Sequence, residues 1–276
     1  MPVVATNTSA NTALNYLNRN SFDQSKSLAK LSSGSRIVSA ADDAAGLAVA
    51  SRIQADLSVM EQGSRNVLQA RSVLQTADGA LSNIGDILQR MKSLTAQSLS
   101  GSVTATERGF IQAEYAQLIT EIGATVTSTT FNGAALIDNT YNESFLVGPD
   151  AAADLLAADL SSVNATTGAA GLNVAGTTVN TSTAGTQAAA AAVDAAIDDI
   201  STYRSTVGSL ISRFEFRGDY LSNAIDNLSA ARSSIIDVDI AAEQSNLVSK
   251  QVLTETSIAA LAQANQMKQS LLSLVR

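Results

Sequence analysis

Two adjacent carboxylates, Asp42 and Asp43, are the residues in this sequence that could most readily bind a metal or perform acid–base chemistry. The same residues also have the spacing of a helix start. Ser39 and Asp42 are separated as in a capping box, and Asp43 would lie near the positive end of the helix dipole. We therefore interpret the pair as a helix N-terminus rather than a catalytic site.

A second candidate is the Ser32-Ser33-Gly34 segment, which has the small residues of a phosphate-binding loop. No lysine follows it in the Gly-x-x-x-x-Gly-Lys frame that such loops require. Gly34 is instead suited to the left-handed conformation that ends a helix. The segment predicts a helix stop.

The composition excludes most other kinds of catalytic or metal-binding site. The chain has no Cys and no His, so thiol catalysis, disulfides, cysteine-ligated metals and the commonest general base are all excluded. Its net charge of -8 disfavours binding to nucleic acid or to anionic membranes. We expect no catalytic residues, no metal site, no cofactor and no enzymatic activity.

Apolar residues at heptad spacing organise both halves of the 276-residue chain. They predict two long helices, with one narrow apolar seam each, that pack against each other. The first seam contains Ile53, Met60, Val67, Ala70, Leu74, Ala77, Leu81, Ile84, Leu88 and Met91. The second contains Val193, Ile197, Ile200, Val207, Ile211, Phe214, Leu221, Ile225, Leu228 and Ile235, interrupted by Arg204, Gly218 and Arg232. We expect the two arginines to place their charged ends in water or against a carboxylate.

Start and stop signals place the remaining elements. Helices are predicted over residues 3–33, from Ser39 to about Ser98, from Thr104 to about Val126, over 187–235 and from Ile240 to Val275. Phe131-Asn132-Gly133 predicts a turn. Short apolar runs at 135–137 and 144–147 predict a small β-hairpin, and the Ala-, Thr- and Gly-rich stretch after Leu160 predicts an exposed tip.

The first and last helices carry thin apolar stripes. The stripes consist of Leu14, Leu17, Leu28 and Leu31 in one helix and Leu247, Ile258, Leu261, Leu272 and Val275 in the other. Burying about nine such side chains at roughly 1.5–3 kcal/mol each does not offset the entropy of ordering both helices. We therefore expect both stripes to be completed by neighbouring copies, in an open helical polymer.

Both ends of the sequence closely resemble bacterial flagellin. At the N-terminal end the resemblance lies in Leu31-Ser32-Ser33-Gly34-Ser35-Arg36-Ile37 and in Asp42-Asp43-Ala44-Ala45-Gly46-Leu47-Ala48. At the C-terminal end it lies in Asp237-Val238-Asp239-Ile240-Ala241 and in Leu261-Ala262-Gln263-Ala264-Asn265-Gln266. The family often has a proline after Gln266, where this chain has Met267-Lys268, so the last helix is expected to run on unbroken.

The resemblance implies a mainly α fold: a long coiled-coil-like rod from both chain halves, a small β-hairpin, and terminal helices paired as a separate inner domain. The domains would be 1–35 with 240–276 as the inner filament core, 36–137 with 187–239 as the long-helix shell, and 138–186 as hairpin and linker. The implied function is a secreted structural subunit of the bacterial flagellum that self-assembles into a helical filament for cell motility.

The resemblance also implies partners. These are copies of the chain itself, an export chaperone, and the cap and junction proteins of the flagellum, with export to the outside without a cleaved signal peptide. A surface made of Leu88, Gln89, Arg90, Leu94 and Glu114 resembles the region that a vertebrate Toll-like receptor recognises in flagellins. Ser93 departs from the acidic residue that is usual there.

Three alternatives remain open from the sequence. The hook-filament junction protein has similar ends and would adapt a filament rather than form one. Some flagellins carry a protease in the central segment, although this chain has no His-Glu-x-x-His motif. An amphipathic membrane-active rod is the third alternative, and the acidic charge argues against it. No window approaches the roughly 20 apolar residues of a membrane span.

Overall fold

The computed structural model describes residues 6–179 and 182–274, with side chains up to residue 270. The helices are α1 (Thr8–Ser33), α2 (Ala44–Leu99), α3 (Ala105–Ser128), α4 (Thr183–Ile236) and α5 (Ile240–Leu274). The strands are β1 (Thr130–Phe131), β2 (Ala134–Ala135), β3 (Asn142–Leu146) and β4 (Leu155–Asp159). The mainly α architecture with a small hairpin is therefore confirmed.

The chain forms two compact units. Unit 1 combines residues 1–55 with 227–276, and unit 2 contains residues 56–226. The division falls within α2 and within α4, because each of these helices contributes to both units. The division into inner, shell and hairpin domains at residues 35, 137, 187 and 239 stays a prediction.

In unit 2, α2 and α4 lie antiparallel. Three ion pairs join them in opposite residue order: Arg71–Glu215 at 3.5 Å, Asp78–Arg204 at 3.0 Å and Lys92–Asp194 at 2.6 Å. The heptad residues face inward, and the fully buried ones include Leu74, Leu81, Leu88, Val193, Val207, Phe214 and Leu221. The predicted packing of the two long helices is confirmed.

Two of the three interruptions of the second seam, Arg204 and Gly218, have physical explanations. Arg204 lays its charged end against Asp78, as expected for an arginine at a seam position. Gly218 provides room for the facing helix, since a Cβ at this position would lie 3.3 Å from Cγ1 of Val67. The absence of a side chain at Gly218 thus leaves room for the Val67 side chain of α2.

The start of α3 follows the predicted capping box. The Thr104 side chain accepts a hydrogen bond from the Glu107 backbone N–H, and the Glu107 carboxylate accepts one from the Thr104 N–H at 2.7 Å. These contacts lower the pKa of Glu107. Helix α3 buries Ile111, Tyr115, Ile122 and Val126, whereas Leu118 is half-buried.

The predicted turn at Phe131-Asn132-Gly133 is confirmed. Asn132 (φ 50°) and Gly133 (φ 82°) both adopt left-handed conformations and join β1 to β2 in a two-residue hairpin. The larger hairpin pairs differently from the prediction. Strand β3 pairs antiparallel with β4 rather than with residues 135–137. Ala135 is already paired with Thr130, and Leu136 and Ile137 are buried.

The hairpin of β3 and β4 is attached to both long helices of unit 2. The ring of Phe145 packs edge-on against that of Phe214, with centroids 5.9 Å apart. The Asn66 side chain donates a hydrogen bond to the Leu146 carbonyl at 2.8 Å. Arg217 and Asp154 form an ion pair between α4 and the loop before β4.

The expectation of an exposed tip after Leu160 is wrong. Leu160, Val163, Ala165, Leu172, Val174 and Val179 are all buried. Hydrogen bonds attach the segment to α3: the Tyr115 hydroxyl lies 2.9 Å from Thr177 Oγ1, and the Val179 N–H donates to Gln112 at 2.6 Å. Such isolated apolar residues between turns have no periodicity, and so the sequence pattern does not reveal that they pack.

No helix in the described part of the chain is long and apolar enough to cross a membrane. The same residues contain no group of three or more His, Cys, Asp or Glu side chains placed to hold a metal ion.

Two phenylalanines on α4 provide a test of the unit 2 core. Phe214 is fully buried and Phe216 is 73% exposed. Phe214→Ala should lower the free energy of unfolding by about 3–5 kcal/mol, because it leaves a cavity beside Phe145. Phe216→Ala, the matched control, should change it by less than about 0.5 kcal/mol. Urea unfolding followed by circular dichroism measures both. Equal effects of the two substitutions would contradict the packing described here.

Candidate assembly surfaces

In unit 1, α1 and α5 form an antiparallel pair with polar cross-links. The Lys250 ammonium donates to Asp23 at 2.8 Å, and this hydrogen bond lowers the pKa of Asp23. Nearer the N-terminus, the Asn7 side chain donates to the Ala264 carbonyl at 3.0 Å. Asn7 also caps α1, which begins at Thr8, and residues 3–5 of the predicted helix lie outside the described residues. Helix α5 continues through Met267 and Lys268 without interruption, as expected.

This pairing leaves large apolar side chains in contact with solvent. Along the described residues of α1 and α5, only Ser27 and Ala264 are buried. Of the predicted stripe residues, Leu14 (42%), Leu28 (58%) and Ile258 (53%) are exposed, and Leu17, Leu31, Leu247 and Leu261 are half-buried. The Leu272 side chain and Val275 lie outside the described residues. The two helices thus cover only part of each other's apolar surface.

Further exposed apolar residues on these helices lie outside the predicted stripes. They are Tyr16, Phe22, Ile240, Val248, Val252, Leu253 and Met267. The four-residue spacing of Val248 and Val252 is a signal for a second apolar face, which the choice of one stripe per helix missed. Tyr16 and Leu253 also line an open groove of about 510 Å³ between α1 and α5, together with Arg19 and Asp23. Apolar surface is therefore distributed around the helix pair.

Unit 1 contains two linkers: the first linker, residues 34–43, joins α1 to α2, and the second linker, residues 237–239, joins α4 to α5. The two linkers are hydrogen-bonded to neighbouring parts of each other's chain segment. Gly34 ends α1 with φ 68°, as predicted, and its carbonyl accepts a hydrogen bond from the Val238 N–H at 3.1 Å. The Arg36 guanidinium donates to the Ile235 carbonyl at 2.7 Å. The segment after α1 and the segment between α4 and α5 are therefore held side by side.

Asp42 fastens the first linker to α1. Its carboxylate accepts hydrogen bonds from the N–H groups of Val38 (3.1 Å) and Ser39 (3.0 Å) and lies 2.5 Å from the Lys26 ammonium. The hydrogen bond from Lys26 is the largest cause that lowers the pKa of Asp42 to about 2, and those from Ser39 and Val38 add to it. Asp42 is thus an ionised group with its acceptor sites in use.

The helix start predicted at Ser39 is wrong by several residues. Asp43 caps α2 instead, since its Oδ1 accepts a hydrogen bond from the Gly46 N–H at 2.9 Å. The Ser39 hydroxyl donates instead to the Asp42 carboxylate at 3.3 Å, and Ser39 lies five residues before the first residue of α2. Both carboxylates have structural partners, which agrees with the structural interpretation of the pair.

The predicted receptor surface is only partly accessible. Gln89, Arg90 and Glu114 are exposed, and Arg90 pairs with Glu114 at 2.6 Å across α2 and α3. Leu88 and Leu94 are 0% and 1% exposed, so their assignment to an accessible surface is wrong. Leu88 belongs to the heptad seam, and Leu94 faces the core six residues further on. A receptor role for the three exposed residues stays a prediction.

Comparisons with known proteins show which family has this sequence and fold. The pattern of the bacterial flagellin N-terminal helical region matches residues 4–142, and that of the bacterial flagellin C-terminal helical region matches residues 190–275. The chain belongs to the bacterial flagellin family. The flagellin of Halalkalibacterium halodurans is 35% identical over 251 residues, covering 91% of each chain.

Two further relatives extend the comparison within the flagellin family. The flagellar filament 33 kDa core protein of Treponema phagedenis is 33% identical over 285 residues and matches 99% of this chain and 100% of that protein. The crystal structure of Bacillus cereus flagellin matches 61% of this chain and 94% of that one, with a TM-score of 0.50 and 29% identity. The similarity to the relatives therefore extends along nearly their whole length.

The Asp42 contacts make the first linker of this flagellin chain sensitive to acid. Because the folded-state pKa of about 2 lies below the ordinary 3.8, these contacts stabilise the linker above pH 3.8 and are lost as the pH falls through about 2. Lys26→Ala should raise the pKa of Asp42, whereas Lys26→Arg should keep it low. Carboxyl NMR titration measures both variants. An unchanged pKa in Lys26→Ala would show that the ion pair has no role.

Proposed function

We propose that this chain is a structural subunit of the bacterial flagellar filament and that its subunits join through α1 and α5. The observation that supports the joining surface is the exposure of large apolar side chains on both helices, including Leu28, Phe22 and Ile258. Exposed apolar surface of this extent on a soluble subunit is typical of an interaction site. Its burial between copies provides the driving force for assembly.

The contact repeats without closing. Helices α1 and α5 differ in sequence, so the face that one copy presents differs from the face that it meets on the next. A contact between unlike faces produces an open helical assembly unless a rotation happens to close it into a ring. This asymmetry supports a helical homopolymer.

Residues 1–35 with 240–276 form the inner filament-core domain in this proposal. Residues 36–137 with 187–239 form the long-helix shell, and residues 138–186 form the hairpin and linker. The filament lies outside the cell, and the subunit reaches it by export without cleavage of a signal peptide. An export chaperone and the cap and junction proteins of the flagellum are its further partners.

The filament subunit is favoured over the hook-filament junction protein. The relatives that this chain matches along almost their whole length include flagellins and a filament core protein. Flagellins are structural proteins, and the subunit is proposed to have no enzymatic role. Electron microscopy of the purified chain alone separates the two functions, because a junction protein should not grow filaments by itself.

Substitutions at exposed terminal residues test the joining surface without disturbing the subunit. Leu28→Ser and Ile258→Ser should leave the helical content unchanged, because both side chains are more than half exposed. Both should raise the protein concentration needed for polymerisation, or abolish it. Sedimentation and electron microscopy measure the polymer, and Leu28→Met, which keeps the apolar area, is the matched control.

Deletion of residues 260–276 should have a stronger effect. The shortened chain should remain soluble and helical but form no filaments, because the end of α5 that faces the start of α1 is lost. Filaments of normal appearance from the shortened chain, or from Leu28→Ser and Ile258→Ser together, would count against the proposal.

The Arg90–Glu114 pair is the centre of the proposed receptor surface. Because both side chains are exposed, Arg90→Ala should leave the fold intact and reduce activation of a vertebrate Toll-like receptor by the monomer. A receptor-reporter cell line measures the response. Arg65→Ala, an exposed arginine elsewhere on α2, is the control and should have little effect. Equal responses to the wild-type chain and Arg90→Ala would exclude this surface.

A further inference from the structure

The sulfur chemistry of this chain belongs to its methionines, because it contains four of them and no cysteine. A methionine thioether is oxidised readily where an oxidant can reach the sulfur. Met60 and Met91 are 8% and 0% exposed in the unit 2 seam, whereas Met267 on α5 is 54% exposed. Met1 lies outside the described residues. Among the described methionines, Met267 is therefore the one that a dissolved oxidant can reach.

The surroundings of Met267 leave its side chain uncovered. Ala264, one turn earlier, is 7% exposed, and its carbonyl accepts a hydrogen bond from the Asn7 side chain at 3.0 Å. Gln263 and Ser270, which also lie one turn from Met267, are polar and exposed. Met267 thus lies beside the contact between α5 and the beginning of α1 but outside the part that α1 covers.

Oxidation of this thioether by a peroxide is a balanced two-electron step. A lone pair of the methionine sulfur attacks one peroxide oxygen, the O–O bond breaks, and an S–O bond forms. The proton of the transferred oxygen passes to the departing oxygen, which leaves as water or an alcohol. Sulfur is thereby oxidised and the peroxide is reduced. The product, methionine sulfoxide, is polar and chiral where the thioether was apolar.

This change of polarity has different consequences for the single subunit and for the assembly. In the single subunit the Met267 side chain is largely in water, so a polar sulfoxide leaves the helix and its contacts intact. Between copies the side chain belongs to the apolar surface of α1 and α5 that assembly is proposed to remove from water. A sulfoxide oxygen that is buried there without a hydrogen-bond donor destabilises the contact.

We propose that Met267 is an oxidation site through which peroxides stop the assembly of free subunits. Assembly in turn protects the site, because the contact between copies keeps peroxide away from the sulfur. A methionine sulfoxide reductase reverses the step, with two thiols that become a disulfide as the reductant. The inference rests on the proposed filament function and adds a chemical control of the joining surface.

Oxidation rates measured by mass spectrometry test the site itself. When the free full-length chain is treated with hydrogen peroxide, Met267 should be oxidised at least several-fold faster than Met60 or Met91. In concentrated urea the three rates should become similar, because the fold no longer covers the other two. In polymer the rate at Met267 should fall at least several-fold. Equal rates at the three residues in the folded chain, or an unchanged rate at Met267 in polymer, would overturn the proposal.

Polymerisation of the oxidised chain tests the consequence. Each chain is compared with its own untreated sample by sedimentation and electron microscopy, so that any effect of a substitution alone cancels. Oxidation should raise the critical concentration for polymerisation of the wild-type chain at least several-fold without changing its helical content. It should have little effect on Met267→Leu, which has no sulfur at this position. Equal losses in the two chains would contradict the proposal, because oxidation of another group would then account for both.

Two further measurements identify the sulfoxide as the cause. Met267→Gln, which introduces a polar side chain of similar length, should raise the critical concentration at least several-fold without any oxidant. Treatment of the oxidised wild-type chain with a methionine sulfoxide reductase and dithiothreitol should restore polymerisation. Normal polymer from Met267→Gln, or no recovery after complete reduction of the sulfoxide, would count against the proposal.

The outcomes separate this inference from the proposed function. If the untreated wild-type chain forms no polymer, the filament function fails and the control of assembly fails with it, while the mass spectra still decide whether Met267 is the oxidation site. If the untreated chain forms normal polymer and the oxidised chain polymerises equally well, the filament function stands and the control through Met267 is wrong.

Discussion

The covering of apolar side chains by a second and a third element is the constraint on which this structure depends. Two α-helices alone cannot enclose residues as large as Leu or Phe on more than one narrow face. In unit 2 the pair of long helices is supplemented by α3, by the β3–β4 hairpin and by the segment 160–179, and Leu74, Leu81 and Phe214 are fully buried. In unit 1, α1 and α5 pack against each other, and along their described residues only Ser27 and Ala264 are buried.

The polar contacts have a different role in the two units. The ion pairs between α2 and α4 involve side chains that are largely exposed, and such pairs contribute at most about 1 kcal/mol each. They fix the register of two helices whose association is driven by the seam. Between α1 and α5, where little apolar surface is covered, Lys250–Asp23 and Asn7–Ala264 set the alignment without a core beneath them. Polar contacts that align α1 and α5 without burying their apolar side chains leave those side chains available to neighbouring molecules.

The sequence is informative wherever a local rule and the tertiary packing agree. Heptad spacing predicted the α2–α4 seam, the Thr104–Glu107 capping box predicted the start of α3, and Asn132-Gly133 predicted a turn. The errors arise where the structure depends on contacts distant in sequence. Strand β4, Leu-Leu-Ala-Ala-Asp, has little β propensity and exists because β3 pairs with it. The prediction that Leu88 belongs to a receptor surface failed for a different reason. A residue that is buried in the seam cannot also contact a receptor, and Leu88 is buried in the seam.

The candidate site was harder to predict than the fold, because an assembly surface consists of residues that the monomer leaves uncovered. Sequence periodicity identified Leu28 and Ile258 as stripe residues that a neighbouring copy should cover, and both are exposed in the single chain. The same periodicity places Phe214 in the second seam and leaves Phe216, two positions further along α4, outside it. The structure agrees, since the ring of Phe214 packs against Phe145 and that of Phe216 is exposed to solvent. An apolar residue that lies at a core-like spacing but is exposed in the folded subunit is therefore the strongest indication of where a second copy binds.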